Sequence, residues 1–205
     1  STDISNAYVD LTTGADLGSD GDKVFTAKVT DVAGNIGSAG GSLTVTLDTA
    51  AAITIAGTLE VDDIANASED DTVVASGTTT GVEDGQTVTV VFTDGSNATV
   101  TATTTVSTNA WTLTGSEADI SGLDNGTITI TANVSDVAGN AASQASKTIT
   151  LDNVAAITIA GTLEVDNIVN ASEDDTVVAS GTTTGVEDGQ TVTVVFTDGS
   201  NATVT

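Results

Sequence analysis

The sequence predicts an all-β protein built from tandem β-sandwich domains. Three observations predict this class: a long stretch that occurs twice, apolar residues that alternate with period 2, and a core with few aromatic residues. Residues 51–101 return as residues 155–205, a spacing of 104 positions, with only Asp63 changed to Asn167 and Ala65 to Val169. Copies this alike at such a spacing indicate successive domains, since solenoid repeats are only about 20–50 residues long.

Apolar residues in 51–154 alternate with threonines, as in strands that are buried on one face. Val88, Val90 and Phe92 form one such series, and Ile128 and Ile130 belong to another. Threonine is β-branched and tolerates the outer face of a pleated sheet. We therefore predict seven strands in about 104 residues, an immunoglobulin-like Greek-key β-sandwich. The predicted strands are 52–58, 72–78, 86–93, 98–106, 110–114, 126–134 and 145–151.

The alternating direction of these strands assigns each loop to one end of the sandwich. The end where the chain enters should hold loop 81–85, the 106–110 connection and the DVAGN turn at 136–140. The opposite end, where the chain exits, should hold a long acidic loop, turn 94–97 and loop 116–125. We define the acidic loop as residues 60–71.

Residues 1–50 align loosely with residues 105–154: ISNAY resembles STNAW, and the motif DVAGN occurs in both. The chain therefore holds the C-terminal half of one repeat (1–50, its last three strands), one complete repeat (51–154) and the N-terminal half of another (155–205, its first four strands). Half a sandwich exposes an apolar face and a strand edge. Either the sequence is a window of a longer array, which we favour, or residues 155–205 complete residues 1–50 of another molecule.

Composition excludes several classes of function. Acidic residues number 29 against three lysines and no arginine, and the formal net charge is −26. Nucleic acids and anionic membrane surfaces are therefore not expected partners. The chain has no cysteine or histidine, so thiolate metal sites and the usual general base are absent. No apolar run is long enough for a membrane helix. With no apolar cleft for a small-molecule substrate either, the sequence does not predict an enzyme.

The acidic loop is one candidate for divalent-cation binding. It carries Asp62, Asp63, Asn66 and Glu69, and Asp94 is expected at the same end of the domain. Ca²⁺ takes six to eight oxygen ligands in flexible geometry, which suits such a loop. The alternative is a solvated loop in which Asp and Asn form turns. The second copy of the loop supplies the equivalent candidates Asp166, Asn170 and Glu173.

The junctions between repeats are a second candidate. They read TLDTAAAIT (46–54) and TLDNVAAIT (150–158), so Asp48 or Asp152 ends one repeat just before the next begins. Asp48 should approach Asp84 and Asp136 of the following repeat. Carboxylates converging on so short a linker would repel each other without a cation. For the DVAGN turn, a tight turn with Asp and Asn capping the backbone is the alternative.

Three features together resemble a known family: the VSDVAGN turn followed by TLDN, the DDIANASE loop and the near-identical tandem copies. The chain resembles the bacterial immunoglobulin-like (Big) extender repeats of giant RTX-type surface adhesins. The resemblance implies a non-catalytic, calcium-stabilised spacer on the bacterial cell surface, which holds a distal binding domain away from the cell and contacts neighbouring repeats. It assigns Ca²⁺ ligands to Asp62, Asp63, Asn66, Glu69, Asp48, Asp136 and Asp152. Family linkers often contain proline, and this chain has none.

A ligand-binding adhesin module is the rival hypothesis, in which the loops at one end would recognise a glycan or a protein. Near-identity of the copies favours a spacer, because spacers need uniform units whereas receptors need one distinctive site. An exposed aromatic side chain at one end would favour the rival. We predict that Trp111, the single tryptophan, lies in the core instead.

Overall fold

The computed structural model describes residue 14 and residues 16–38, 40–163 and 166–205. All regular elements within these ranges are strands. Within them, no helix has the length and apolar character needed to cross a membrane. The strands are β1 (Gly21–Phe25), β2 (Lys28–Thr30), β3 (Ile36–Ser38), β4 (Leu43–Leu47), β5 (Ala52–Ile53), β6 (Ile64–Ala65), β7 (Ser76–Thr80), β8 (Thr87–Thr93), β9 (Thr99–Thr105), β10 (Ala110–Thr112), β11 (Gly126–Asn133), β12 (Ala145–Leu151), β13 (Ala156–Ile159), β14 (Gly181–Thr184), β15 (Phe196–Thr197) and β16 (Thr203–Val204).

Strands β5 to β12 form two sheets around one core. The smaller sheet has the order β10-β7-β5, and the larger has the order β6-β12-β11-β8-β9. The core cluster takes its buried residues from both sheets, and all of them lie between Ile53 and Leu151. The predicted all-β sandwich is confirmed.

The period-2 pattern matches the observed burial. Along β8, Val88, Val90 and Phe92 are buried and the residues between them are partly exposed. In β11 the alternation continues through Ile128 and Ile130. Alternate side chains of a strand point to opposite faces, so each strand contributes one row of aliphatic residues to the core.

The acidic loop differs from the prediction, because it contains the short strand β6. This strand pairs parallel to β12, with Ile64 opposite Thr150 and Ala65 opposite Leu151. The predicted first strand (52–58) is shorter in the structure: β5 pairs with β7 in one sheet, and the chain then crosses to β6 at the edge of the other sheet. Ala65 is fully buried and anchors this crossing.

Trp111 lies in the core, as predicted, with 2% of its surface exposed. Its indole Nε1 donates a hydrogen bond to the carbonyl of Thr54 at 3.1 Å. Gly77 makes this contact possible, because a Cβ there would lie 1.9 Å from that carbonyl oxygen and 2.8 Å from Nε1. Burial of both the ring and its N–H stabilises the small sheet against the large one.

The flanking segments repeat parts of this arrangement. Pairs β13–β14 and β15–β16 correspond to β5–β7 and β8–β9, and β1–β4 corresponds to β11–β12. Many apolar residues of these segments are exposed: Val192 is 54% exposed, whereas its equivalent Val88 is fully buried. The strand predicted near ISNAY (4–8) lies outside the described residues.

Candidate cation sites and domain junctions

Hydrogen bonds bring the loops of the exit end together, as the alternating strand directions predict. The backbone N–H of Asp124 donates to Asp94 Oδ2 at 3.0 Å, which links loop 116–125 to turn 94–97. The Asn153 side chain donates to Asp70 Oδ2 at 2.8 Å, which links the chain exit to the acidic loop. Asp70 is buried, and the side chain that donates this hydrogen bond to it belongs to the linker.

The loops of the entry end are linked in the same way. The N–H of Val137 donates to Glu83 Oε2 at 2.9 Å, and that of Thr108 donates to Asp84 Oδ1 at 2.7 Å. The side chain of Asn140 donates to the backbone carbonyl of Asp48 at 3.1 Å. The preceding repeat therefore leaves its last strand directly against the DVAGN turn of the next.

Asp94 stabilises its own turn and the neighbouring loop. Its Oδ1 accepts from the N–H of Ser96, the hydroxyl of Ser96 and the N–H of Ala98, at 2.9, 2.9 and 2.8 Å. The bond from the Asp124 N–H, followed by those from Ser96 and Ala98, outweighs desolvation and lowers the pKa of Asp94. Both oxygens of this buried carboxylate therefore face hydrogen-bond donors, which is the arrangement of a structural cap.

Asp136 has a comparable role in the DVAGN turn. Its two oxygens accept from the backbone N–H and the side-chain amide of Asn140, both at 2.7 Å. Burial raises the pKa of Asp136, but the hydrogen bonds from Asn140 and the turn backbone outweigh it, and the net pKa is lowered. Gly139 adopts a positive φ of 95°, which the turn requires. The structure thus has the features of the tight turn that was the alternative to a ligand site.

All four candidates in the acidic loop make hydrogen bonds that hold the loop. Asp63 accepts from the Leu59 N–H at 2.8 Å and from the Lys147 ammonium at 3.0 Å. These bonds, the Leu59 one first, lower the pKa of Asp63. Asn66 donates to Glu69 Oε2 through its N–H and its side chain.

Asp62 Oδ1 accepts the N–H of Ile64 at 3.0 Å, which closes a turn two residues long. The second copy repeats these bonds: Asp166 accepts from Ile168, and Glu173 accepts from the N–H of Asn170. Across the described ranges, no three acidic side chains are placed together so that they could hold a metal ion.

The junction aspartates are different. Asp48 and Asp152 are half-buried, and within the described residues their carboxylates receive no hydrogen bond. A groove of about 530 Å³ lies at the second junction. The residues that line it include five with carboxylate or amide side chains: Asp152, Asn66, Asn153, Glu187 and Gln190. Carboxylate and amide oxygens are the donor set that Ca²⁺ prefers, and the side chains at this junction carry such oxygens.

Asp70 and Asn153 form a hydrogen-bonded pair that residue type alone does not identify. Asp70 is one of several acids in its loop, and Asn153 occupies the position that is Thr49 at the first junction. The only sequence signal is position, since Asn153 follows the exit aspartate and Asp70 belongs to the loop expected at the same end.

This chain is similar to several solved structures of adhesin segments. A tetra-tandem repeat in the extending region of a large adhesion protein is 30% identical, with 90% of this chain and 44% of that chain covered and a TM-score of 0.47. A Ca²⁺-stabilised adhesin that helps an Antarctic bacterium reach out and bind ice is 29% identical, with coverage of 80% and 40% and a TM-score of 0.37. This chain thus spans less than half the length of either structure.

A single domain is also similar to part of this chain. The bacterial immunoglobulin-like domain from the M. primoryensis ice-binding adhesin is 31% identical over 99% of its length and 51% of this chain, with a TM-score of 0.34. No family model matches the sequence, and no curated protein matches it. The chain is similar to the bacterial immunoglobulin-like repeats found in the extender regions of large adhesins.

Proposed function

We propose that this chain is a non-catalytic spacer segment of a bacterial surface adhesin, which projects a distal binding domain away from the cell. Its units would be residues 1–50, 51–154 and 155–205. One observation carries the proposal: the chain enters and leaves residues 51–154 at opposite ends. Asp48 contacts the DVAGN turn at the entry end, and Asn153 contacts Asp70 at the exit end. Each unit joined in this way adds its full length to the array.

The other features are consistent with this function outside the cell. A net charge of −26 keeps neighbouring units apart and in solution. The large adhesins similar to this chain include one that helps a bacterium reach out. The rival function, recognition of a glycan or protein by the end loops, has less support because Trp111 is buried.

The length of one unit can be measured directly. The chain has no cysteine, so Ala50→Cys and Val154→Cys place one spin label at each linker. Strand β11 has 8 residues and at about 3.4 Å per residue spans roughly 27 Å. With loops at both ends, electron–electron distance measurements should give about 3–4 nm. A separation below about 2 nm would mean that the linkers lie on the same side, and the spacer function would be wrong.

We further propose that Ca²⁺ binds at the junctions. The residues that would hold it are Asp48 at the first junction and Asp152, Glu187 and Asn66 at the second. A bound cation would neutralise these carboxylates and reduce their mutual repulsion. Support comes from the Ca²⁺-stabilised adhesin among the similar structures and from the two half-buried aspartates without donors.

Thermal unfolding of the full chain tests the calcium proposal. In about 10 mM Ca²⁺ the midpoint should rise by roughly 10 °C or more relative to excess EDTA, because a ligand that binds only the folded state stabilises it. Mg²⁺ should have a smaller effect. Asp152→Asn should reduce the rise, whereas Asp166→Asn, in the second acidic loop, is the matched control and should leave it unchanged. An identical midpoint in EDTA and Ca²⁺ would show that the calcium proposal is wrong.

A further inference from the structure

Equivalent linker residues contact equivalent upstream residues at the two junctions, through a side chain at the first and a backbone N–H at the second. Thr49 Oγ1 donates to Asp20 Oδ1 at 2.7 Å, and the N–H of Asn153 donates to Asn125 Oδ1 at 3.3 Å. Asp20 and Asn125 each come directly before the glycine that begins β1 or β11. The residue after the exit aspartate is therefore held to the repeat that the chain is leaving.

The next linker residue rests on a glycine of the following repeat, again at both junctions. A Cβ on Gly81 would lie 2.2 Å from the carbonyl oxygen of Ala50, and one on Gly185 would lie 2.0 Å from that of Val154. Both glycines have positive φ, 66° and 64°. No other residue allows the linker carbonyl so close to this loop.

Asn140 completes the contact on the downstream side. Its side-chain amide has two N–H donors; one donates to Asp136 Oδ2 and the other to the backbone carbonyl of Asp48. The equivalent Asn35 bonds Asp31 in the same way. No linker carbonyl contacts Asn35 among the residues that the structure describes. The turn itself is thus the same in both repeats, and among the described residues a linker contacts Asn140 but not Asn35.

We propose that Asn140 and Gly81 form a socket for the backbone of the preceding linker, which fixes the linker on the following repeat without a cation. The socket binds the carbonyl groups of Asp48 and Ala50, a chemistry that any incoming linker sequence supplies. It leaves the carboxylate of Asp48 unpaired and available for the proposed cation. The biological purpose of the socket rests on the spacer function, whereas its existence depends only on these contacts.

Backbone ¹⁵N relaxation of the full 205-residue chain in excess EDTA tests the socket. The amides of Thr49, Ala50 and Ala51 should give order parameters near 0.8, close to those of rigid backbone. Asn140→Ala should lower them below about 0.6, the range of flexible segments. Asn35→Ala is the matched control, because it removes the same turn bond without a linker contact, and it should leave these three amides unchanged.

A second pair of variants separates the socket from damage to the fold. Gly81→Ala places a methyl group against the linker. Gly85→Ala, in the same loop, places a methyl group in open space at a position that also has a positive φ (90°). Only Gly81→Ala should mobilise Thr49 and Ala50. The amide spectrum of residues 87–151 shows in each case whether the sandwich remains folded.

The outcomes distinguish the two proposals. Flexible linker amides in wild-type chain in EDTA, or unchanged order parameters in both Asn140→Ala and Gly81→Ala, would overturn the socket. If these amides are rigid in EDTA and Ca²⁺ shifts neither them nor the unfolding midpoint, the socket holds and the calcium proposal fails. If they become rigid only with Ca²⁺, the cation holds the linker and the socket does not.

Discussion

Phe92→Ala should lower the free energy of unfolding of residues 51–154 by about 3–5 kcal/mol, the cost of a large cavity in a packed core. Phe92 is fully buried between the two sheets, and truncation removes its contacts with aliphatic neighbours on both sides. Domains of this size have total stabilities of about 5–15 kcal/mol. The substitution should therefore leave a sandwich that is partly unfolded at moderate temperature.

Phe196→Ala is the matched control, because Phe196 has the same sequence neighbours in the second copy but is 40% exposed. It should change the stability of residues 51–154 by less than about 0.5 kcal/mol. Urea unfolding followed by the fluorescence of Trp111 measures both variants, because this single tryptophan reports only on that sandwich. A large loss of stability from Phe196→Ala would mean that residues 155–205 pack against it.

Asp94→Asn should lower the thermal midpoint of the same sandwich by about 5–10 °C, because bonds from N–H donors to a carboxylate are stronger than bonds to an amide. An amide nitrogen would also be placed against the donors of Ser96 or Asp124. Asp198→Asn is the control. Asp198 caps the equivalent turn through Ser200 and Ala202, and within the described residues it has no bond from a second loop.

The effect of Asp94→Asn should depend on pH in one direction. The folded-state pKa of Asp94 is lowered from the usual 3.8, mainly by the Asp124 N–H. Stabilisation by the carboxylate is then fully present above the usual pKa and is lost as the pH falls through the lower folded-state pKa. The difference between wild type and Asp94→Asn should be constant at neutral pH and narrow in acid. A difference that grows in acid would contradict the assigned role of this carboxylate.

The strands could be predicted wherever alternation extends over several residues. Strands β8, β11 and β12 lie within one or two residues of their predicted bounds, because the two sheets bury one face of each. Strand β6 was missed. It has only two residues, Ile64 and Ala65, and lies among aspartates and asparagines that are typical of turns. Two residues cannot show a period, so their pairing with β12 depends on the rest of the fold.

The ends of the sandwich could also be predicted, but the roles of the acids at these ends could not. Strand direction correctly placed turn 94–97 beside loop 116–125. Residue type does not distinguish a carboxylate that caps backbone N–H groups from one that has no donor. Asp94 and Asp136 are caps, whereas the carboxylates of Asp48 and Asp152 receive no hydrogen bond from the described residues. Only side-chain geometry separates the two groups, and the cation ligands remain predictions.

The parallel pairing of β6 with β12 determines how a unit responds to pulling. The bonds from Thr150 N–H to the Asp63 carbonyl and from Asp152 N–H to the Ala65 carbonyl, both 2.9 Å, join the first part of the repeat to its last strand. Tension between the two linkers pulls these parallel strands in opposite directions along their axes. Bonds perpendicular to the force are then loaded in shear and must break together, unlike those of a hairpin, which open one by one. Survival under load depends on the unfolding rate rather than on equilibrium stability alone, and this two-residue strand is placed where it would slow that rate.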